Sequence, residues 1–570
     1  MRTLVTTVGF AALLVMLCGS TMAQDQRAFD NVLGPNTYIF DTTMEMSEIQ
    51  RVIDSIAMPM CRRSAHFSEK RYALMFMPGE YDLDVQVGYF MHVIGLGASP
   101  ENVVIKGAVR SNSFYPTGNV LINFWRGMEN LTIVPAHKNT NVWGVSQAAP
   151  MRRVHVAGNL KIHDNHYVSG GFIADSKVDG IIDAGGGQQW YTRNSEIGGW
   201  EGGSWNMFFQ GVHGDPGENW PELPYTRINV TDVIREKPYL VADSTGIHVR
   251  LPGLRRNATG SDWSGTDSII PLDNFYIAFP HEATPESINN ALSAGKHVLF
   301  TPGIYDIDSP IRITRPGTVV LGFGLANLIA RNGSSVINVD DVDGVTIAGL
   351  LIDAALEPSD VLIEIGPPGA GQDHRDDPTF LFDVFVRVGG PFAGSARQCL
   401  MINSNDVVID HTWLWRADHG QGVGWDINRS ANGLTVNGDR VTAYGLFCEH
   451  FQEYQTLWNG EGGKVYFFQC EMPYDPPAID TWKHGDTYGY AGYKVSDNVK
   501  VHDAHGVGIY NVFYDAHIVV DQAIECPPAL EENFHHVITY WLNGKEESVV
   551  KSIINGKGDA VNINNRKATW

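Results

Sequence analysis

Glu449 and Glu471 stand 22 residues apart, in Cys448-Glu449-His450 and in Cys470-Glu471-Met472-Pro473-Tyr474-Asp475, each directly after a run of β-branched and aromatic residues. A backbone that coils with that period projects both carboxyl groups from one angular position on adjacent coils, and like charges so close disfavour double ionisation. One carboxyl then stays protonated near neutral pH, as cleavage of a glycosidic bond requires if the leaving oxygen is to be helped to depart. On spacing alone, two solvated loop glutamates are the simpler reading.

The surroundings shift the balance. Trp413, Trp415, Trp425, Trp458 and Tyr474 gather in the same stretch, with Asp418-His419 and Asn459-Gly460 between them. A sugar ring offers an apolar face and a rim of hydroxyls, so a glycan cleft needs flat aromatics beside hydrogen-bonding side chains. Taken singly, each tryptophan belongs more often to a core. A second pair, Gln147 in Val145-Ser146-Gln147-Ala148 and Ser169 in Val168-Ser169-Gly170-Gly171-Phe172, is also 22 residues apart. Neither is a strong base; both can hold a water, and a polar ladder inside a coil is an equal alternative.

The elements that position these residues come from one pattern used twice. Tyr-Ile-Phe from Tyr38, a helical stretch around Ser47 to Ile56, Met-Pro-Gly-Glu-Tyr-Asp and Val93-Ile-Gly-Leu-Gly recur in the same order in a copy that starts 238 residues later at Tyr276, as Tyr276-Ile-Ala-Phe, a helical stretch Pro285 to Ala294, Thr-Pro-Gly-Ile-Tyr-Asp and Val320-Leu-Gly-Phe-Gly. Between them lie short β-branched runs at spacings near 22 residues, broken by Gly, Asn and Asp. Such runs suit stacked coils of a parallel β-helix, each coil about 4.8 Å from the last, with an amphipathic helix capping the open end of the stack. Hairpin signals are sparse, which argues against a β-sandwich or propeller. The expected architecture is all-β, with two tandem parallel β-helices: a domain over 24–256, a Gly- and Ser-rich linker over 257–273, and a domain over 274–570.

Arg2, the apolar run Phe10 to Leu17 and Thr21-Met22-Ala23 before Gln24 read as an export signal over 1–23, so a secreted, extracellular protein is expected. No stretch approaches the roughly 20 apolar residues of a membrane span. Five cysteines follow the signal, too few for a disulfide scaffold and without metal-ligand spacing. The formal net charge of −23 repels polyanions, which disfavours nucleic acid and uronate-rich polymers and leaves a neutral glycan as the fitting partner. A monomer without cofactor is expected.

The duplicated Pro-Gly-x-Tyr units, Ser146-Gln147-Ala148, Ser169-Gly170-Gly171-Phe172 and above all Tyr444-Gly-Leu-Phe-Cys-Glu-His followed one coil later by Gln469-Cys-Glu-Met-Pro-Tyr-Asp resemble glycoside hydrolase family 55, its bacterial branch more than its fungal one. The resemblance covers nearly the whole mature chain. It implies two right-handed, pectin-lyase-like β-helices packed side by side around a cleft, acting as an inverting exo-β-1,3-glucanase on laminarin-type chains. Carried over residue by residue, it makes Glu471 the general acid, Glu449 the neighbour that tunes it, and Gln147 and Ser169 the holders of the nucleophilic water. Trp415, Asp418 and Tyr474 are implied sugar contacts, and His450 and Trp458 are added as candidates beside them; no metal is implied. Rungs about 4.8 Å apart are too close for Glu449 to act simply as the base of an inverting pair, whose carboxyls usually stand about 6.5–9.5 Å apart.

Two rival readings compete. A polygalacturonase-like hydrolase would use Asp353 with Asp376-Asp377, but His374 to Pro378 reads as a turn and no Gly-His-Gly follows. A non-catalytic glycan-binding β-helix would not need two carboxylates on adjacent coils, which are costly to bury unless their chemistry is used.

Overall fold

Short runs of valine, isoleucine, leucine and phenylalanine form strands a few residues long, and the glycines and asparagines between them turn the chain back to begin the next rung. In the computed structural model, which describes residues 32–263 and 267–570, these strands stack in parallel in chain order. The export signal and three residues of the expected linker lie outside the described residues.

The first stack runs from Thr37–Phe40 through Tyr72–Phe76, Met91–Gly95, Arg126–Pro135, Pro150–Val156, Phe172–Ala174, Gln189–Arg193 and Asn206–Gln210 to Tyr225–Ile228. The second begins at Phe275–Ala278 and includes Phe380–Val388, Val408–Arg416, Thr442–Glu449, Gly463–Glu471, His502–Phe513 and Phe534–Gly544. Lys567–Thr569 closes it as an antiparallel strand. A further parallel sheet, from Ile311–Ile313 to Ile524–Glu525 and including Thr456–Trp458, forms another wall of this second coil. Each half is thus a parallel β-helix, with the right-handed sense that parallel crossovers adopt.

An amphipathic helix stands near the start of each half. Helix α1 (Met46–Met60) buries Ile49, Ile53 and Ile56. Helix α2 (Pro285–Ser293) buries Ile288 and Leu292, and starts at a capping box in which Thr284 and Ser287 satisfy each other's backbone N–H groups. The segment read as a linker is more than a tether. The stack ends at Ile228, and the chain from Thr231 to Pro271 folds into antiparallel pairings, Thr231–Ile234 with Arg255–Ala258 and Gly246–Leu251 with both Tyr239–Asp243 and Ser268–Pro271. Gly and Ser content suggests flexibility, but Ile247, Val249 and Ala258 in and beside this segment are buried, and burial orders it.

Alternation along the strands of the second half decides what faces what. Leu328, Ile352, Val386, Leu414, Cys448, Cys470 and Ile509 are register partners in turn and point into the coil. Residues between them point out, towards the first half. Phe385, Trp413, Trp415, Tyr444, Phe447 and Phe467 thereby share one buried apolar cluster with Trp125, Phe172, Tyr191 and Phe208 of the first half. The two β-helices are therefore joined by a core.

Candidate active site

The outward ladder next to the Cys448 and Cys470 ladder reads Asp353, Arg387, Trp415, Glu449, Glu471, Tyr510, Tyr540, one residue per rung. Glu449 and Glu471 are direct partners on adjacent rungs, each ending its strand. After Glu449 the chain turns sharply because His450 holds a left-handed backbone, φ +70°.

The two carboxyl groups look to different partners. Glu449 is buried; its Oε1 accepts a hydrogen bond from Gln147 Nε2 at 3.0 Å and its Oε2 one from Trp413 Nε1 at 2.9 Å. Glu471 is partly exposed, and Tyr474 donates its hydroxyl to Glu471 Oε2. Burial pushes the Glu449 carboxyl up to about 7, the nearby Asp418 carboxylate adding to the effect and the hydrogen bonds opposing it. Burial first, then the neighbouring Glu449 and Asp418, raise the Glu471 carboxyl well above the ordinary range. The pair thus holds a proton where exposed glutamates are ionised.

Gln147 and Ser169 come from the first half and meet the glutamates across the seam. Gln147 Nε2 donates to Ser169 Oγ at 2.8 Å as well as to Glu449, and Gln189 Nε2 on the next coil reaches the same hydroxyl at 3.3 Å. Ser169, accepting twice, has its own proton to donate. Gln147 Oε1 is buried with no hydrogen-bond partner among the described residues, and the residue holds φ at +29°, a strained conformation of the kind that gathers at functional sites. Gly171 clears the way: a Cβ there would lie 2.4 Å from the Trp190 ring.

Asp418 lies at the mouth. Burial works to raise its carboxyl, but His419 Nδ1, 2.8 Å away, and His450 outweigh it and hold Asp418 well below the usual carboxylate range. Tyr474 packs edge-on against His450 at 4.4 Å. Three expected sugar contacts are placed otherwise. Trp458 is 0% exposed: it takes an inward position on the strand Thr456–Trp458 and belongs to the core of the second coil, so no sugar reaches it. Trp415 points out as expected but is 1% exposed, packed against Trp413 at 5.1 Å and Phe67 of the first half at 6.3 Å, so it is a wall rather than an open platform. His450 is buried; burial holds its imidazole below the ordinary value, and its Nδ1 lies 3.2 Å from the Met472 carbonyl oxygen.

The sequence reading missed Gln189, Phe67 and the hydrogen-bonding role of Trp413. Gln189 was within reach, since it follows Ser169 by nearly one more coil; Phe67 carries no period linking it to Trp415. The rival constellation dissolves. Asp353 is buried in a bidentate ion pair with Arg387, 2.6 and 2.7 Å, while Asp377 pairs with Arg235 of the first half at 2.9 Å.

Across 534 residues, or 92% of this chain and 87% of the relative, the sequence is 46% identical to an exo-beta-1,3-glucanase of Streptomyces sp. (strain SirexAA-E / ActE). The chain belongs to glycoside hydrolase family 55. The model of the LAM55 pectate lyase-like domain matches residues 275–471, a span that ends on Glu471. The structure of sacteLam55A from Streptomyces sp. SirexAA-E superposes with a TM-score of 0.90 at 43% identity, covering 94% of this chain and 98% of that one. A variant of that enzyme refined in complex with glucose matches equally well. Family 55 membership agrees with the tandem pectin-lyase-like β-helices described above.

Proposed function

We propose that this family 55 protein is a secreted glucan 1,3-β-glucosidase that releases sugar from the ends of laminarin-type β-1,3-glucan with inversion, Glu471 acting as general acid. The observation that carries the reading is the pair of carboxyls on adjacent rungs, one at the mouth with strongly raised proton affinity and one buried against a water-holding pair from the other half. Glu471 gives its proton to the leaving glycosidic oxygen, and Tyr474 orients it.

The attacking water sits between the Ser169 hydroxyl, which donates to it, and Gln147 Oε1, the buried acceptor that no described residue pairs. Glu449 touches that unit through Gln147 Nε2 and takes up the proton by relay: the water's proton passes to Gln147 Oε1 as Gln147 Nε2 gives one to Glu449 Oε1, and the imidic acid so formed returns to the amide when Glu449 hands the proton back after turnover. The two side chains have different partners, Trp413 and Gln147 for one and Tyr474 for the other, so they serve different ends of the reaction. Asp418, kept ionised, accepts from sugar hydroxyls. The 46% identical relative, an exo-beta-1,3-glucanase, supports the same substrate class.

Laminarin digestion followed by NMR tests the whole reading: α-glucose as the first product is expected, and β-glucose or long oligomers overturn it. Glu471→Gln should lower kcat on laminarin by about 10²–10⁴-fold with an unchanged melting temperature, and should lose far less on an aryl glucoside whose leaving group needs no proton. Near-normal turnover of laminarin by this variant removes Glu471 from the mechanism.

A further inference from the structure

At the other end of the rungs from Glu471, about 16 Å away at roughly 3.3 Å per residue, three potential metal ligands converge. His505 Nε2 is 3.0 Å from Asp503 Oδ2 and His535 Nε2 is 3.2 Å from Asp503 Oδ1, and one ligand atom from each of the three residues lies within 4.8 Å of the others. The rung geometry builds this group. His505 and His535 are direct partners on adjacent strands, their imidazoles stacked at 4.4 Å and 19°, and the Tyr466 ring backs His505 at 5.5 Å and 8°. All three side chains remain open to solvent: Asp503 is 37% exposed, His505 19% and His535 41%.

Two ligands bound tetrahedrally to one zinc ion at about 2.0–2.1 Å stand about 3.3 Å apart; Asp503 now meets each imidazole through a different oxygen, and a turn of its carboxylate with a tilt of the stacked rings brings donors that already lie within 4.8 Å of one another onto one ion. We propose that Asp503, His505 and His535 form a binding site for a divalent transition metal of the zinc class, its coordination completed by water. Two imidazoles and one carboxylate suit zinc, cobalt or nickel, whereas calcium and magnesium call for oxygen ligands. Lys464, the register partner of Asp503 on the neighbouring rung, is paired with Asp232 at 2.5 Å.

The site has a structural consequence. Asp232, which also accepts from Tyr466, belongs to the first half, and His536 bonds Thr226 of that half at 3.0 Å and stacks on its Trp220 at 5.4 Å. An ion that fixes His535 and the ring on Tyr466 stiffens the outer edge of the seam, so metal stabilises the paired β-helices without touching the reaction.

The test is calorimetric titration of the chelator-treated full-length protein with zinc chloride alone. One equivalent should bind with a dissociation constant in the micromolar range or tighter, and the melting temperature should rise. His505→Ala and His535→Gln should each weaken binding at least tenfold, keep the circular dichroism spectrum, and leave laminarin turnover within twofold of the parent. Magnesium chloride should give no saturable heat. Absence of saturable zinc uptake, or uptake that neither variant weakens, overturns the proposal and leaves the group as a hydrogen-bonded His-Asp-His cluster.

Discussion

Glu449 carries an opposition between burial and chemistry that can be read in two independent ways. Its carboxyl, pushed up to about 7 by burial, holds its proton longer in the folded chain than in the unfolded one, whose ordinary value is near 4.5. Its effect on stability is therefore most favourable below that ordinary value and worsens as pH rises from 4.5 towards 7. Glu449→Gln removes this dependence, so the melting temperature of the variant minus that of the parent should grow from pH 5 to about pH 7 and level off above it in calorimetry, and a flat difference throughout refutes the burial effect. The same substitution removes a charge that raises Glu471. The alkaline limb of the kcat/KM profile, where Glu471 loses its proton, should then move to lower pH while the residual rate falls. At this scale the sequence was informative: a 22-residue period placed Glu449 beside Glu471 and Gln147 beside Ser169, because one coil is one period and needs no knowledge of the rest of the fold. It could not reveal that Trp458 turns inward, since that depends on which wall of the coil a short strand joins.

The elements are joined across the seam by buried charge. Arg152 of the first half meets Asp383 at 2.8 Å and Asp410 at 2.7 Å, and Arg193 meets the same Asp410 at 2.9 Å and Glu236 at 2.8 Å, all with almost no solvent exposure. Removing one member leaves the others charged and dry, which typically costs about 3–5 kcal/mol. Asp410→Asn should lower the stability of the whole molecule by that order in urea denaturation, as a shift of a single transition; a loss below about 1 kcal/mol shows that water repairs the site. Gly171→Ala, which drives a methyl against the Trp190 ring, should cost about 1–3 kcal/mol and reduce turnover through displacement of neighbouring Ser169. None of this was legible from spacing. Arg152 and Asp383 are 231 residues apart and follow no period, and only the face-to-face packing of two finished sheets brings them together.

For the whole molecule, the two halves share an apolar cluster, and the proposed reaction centre draws residues from both, so on that reading neither β-helix alone is a complete enzyme. Residues 274–570 expressed alone should be poorly soluble and inactive on laminarin, because Phe385, Trp413 and Phe447 lose their cover and Glu449 loses Gln147. Recovery of activity from that half alone would refute the two-sided site. The tandem duplication was plain in the sequence, since 238 residues separate its two copies. The antiparallel segment between Thr231 and Pro271 was hidden, because glycine and serine content reports local freedom and says nothing of what a neighbouring surface will bury.

The seam also sets an order of events during synthesis. When Arg152 and Arg193 leave the ribosome, the aspartates that balance them are still more than 200 residues from being made. The nascent first coil must wait with the Arg152 guanidinium and an apolar wall facing water, while Arg193 has only Glu236 of its own half until Asp410 arrives. Chaperone dependence, slow maturation and sensitivity to truncation late in the chain are the expected traits of a protein whose first half is neutralised by its last.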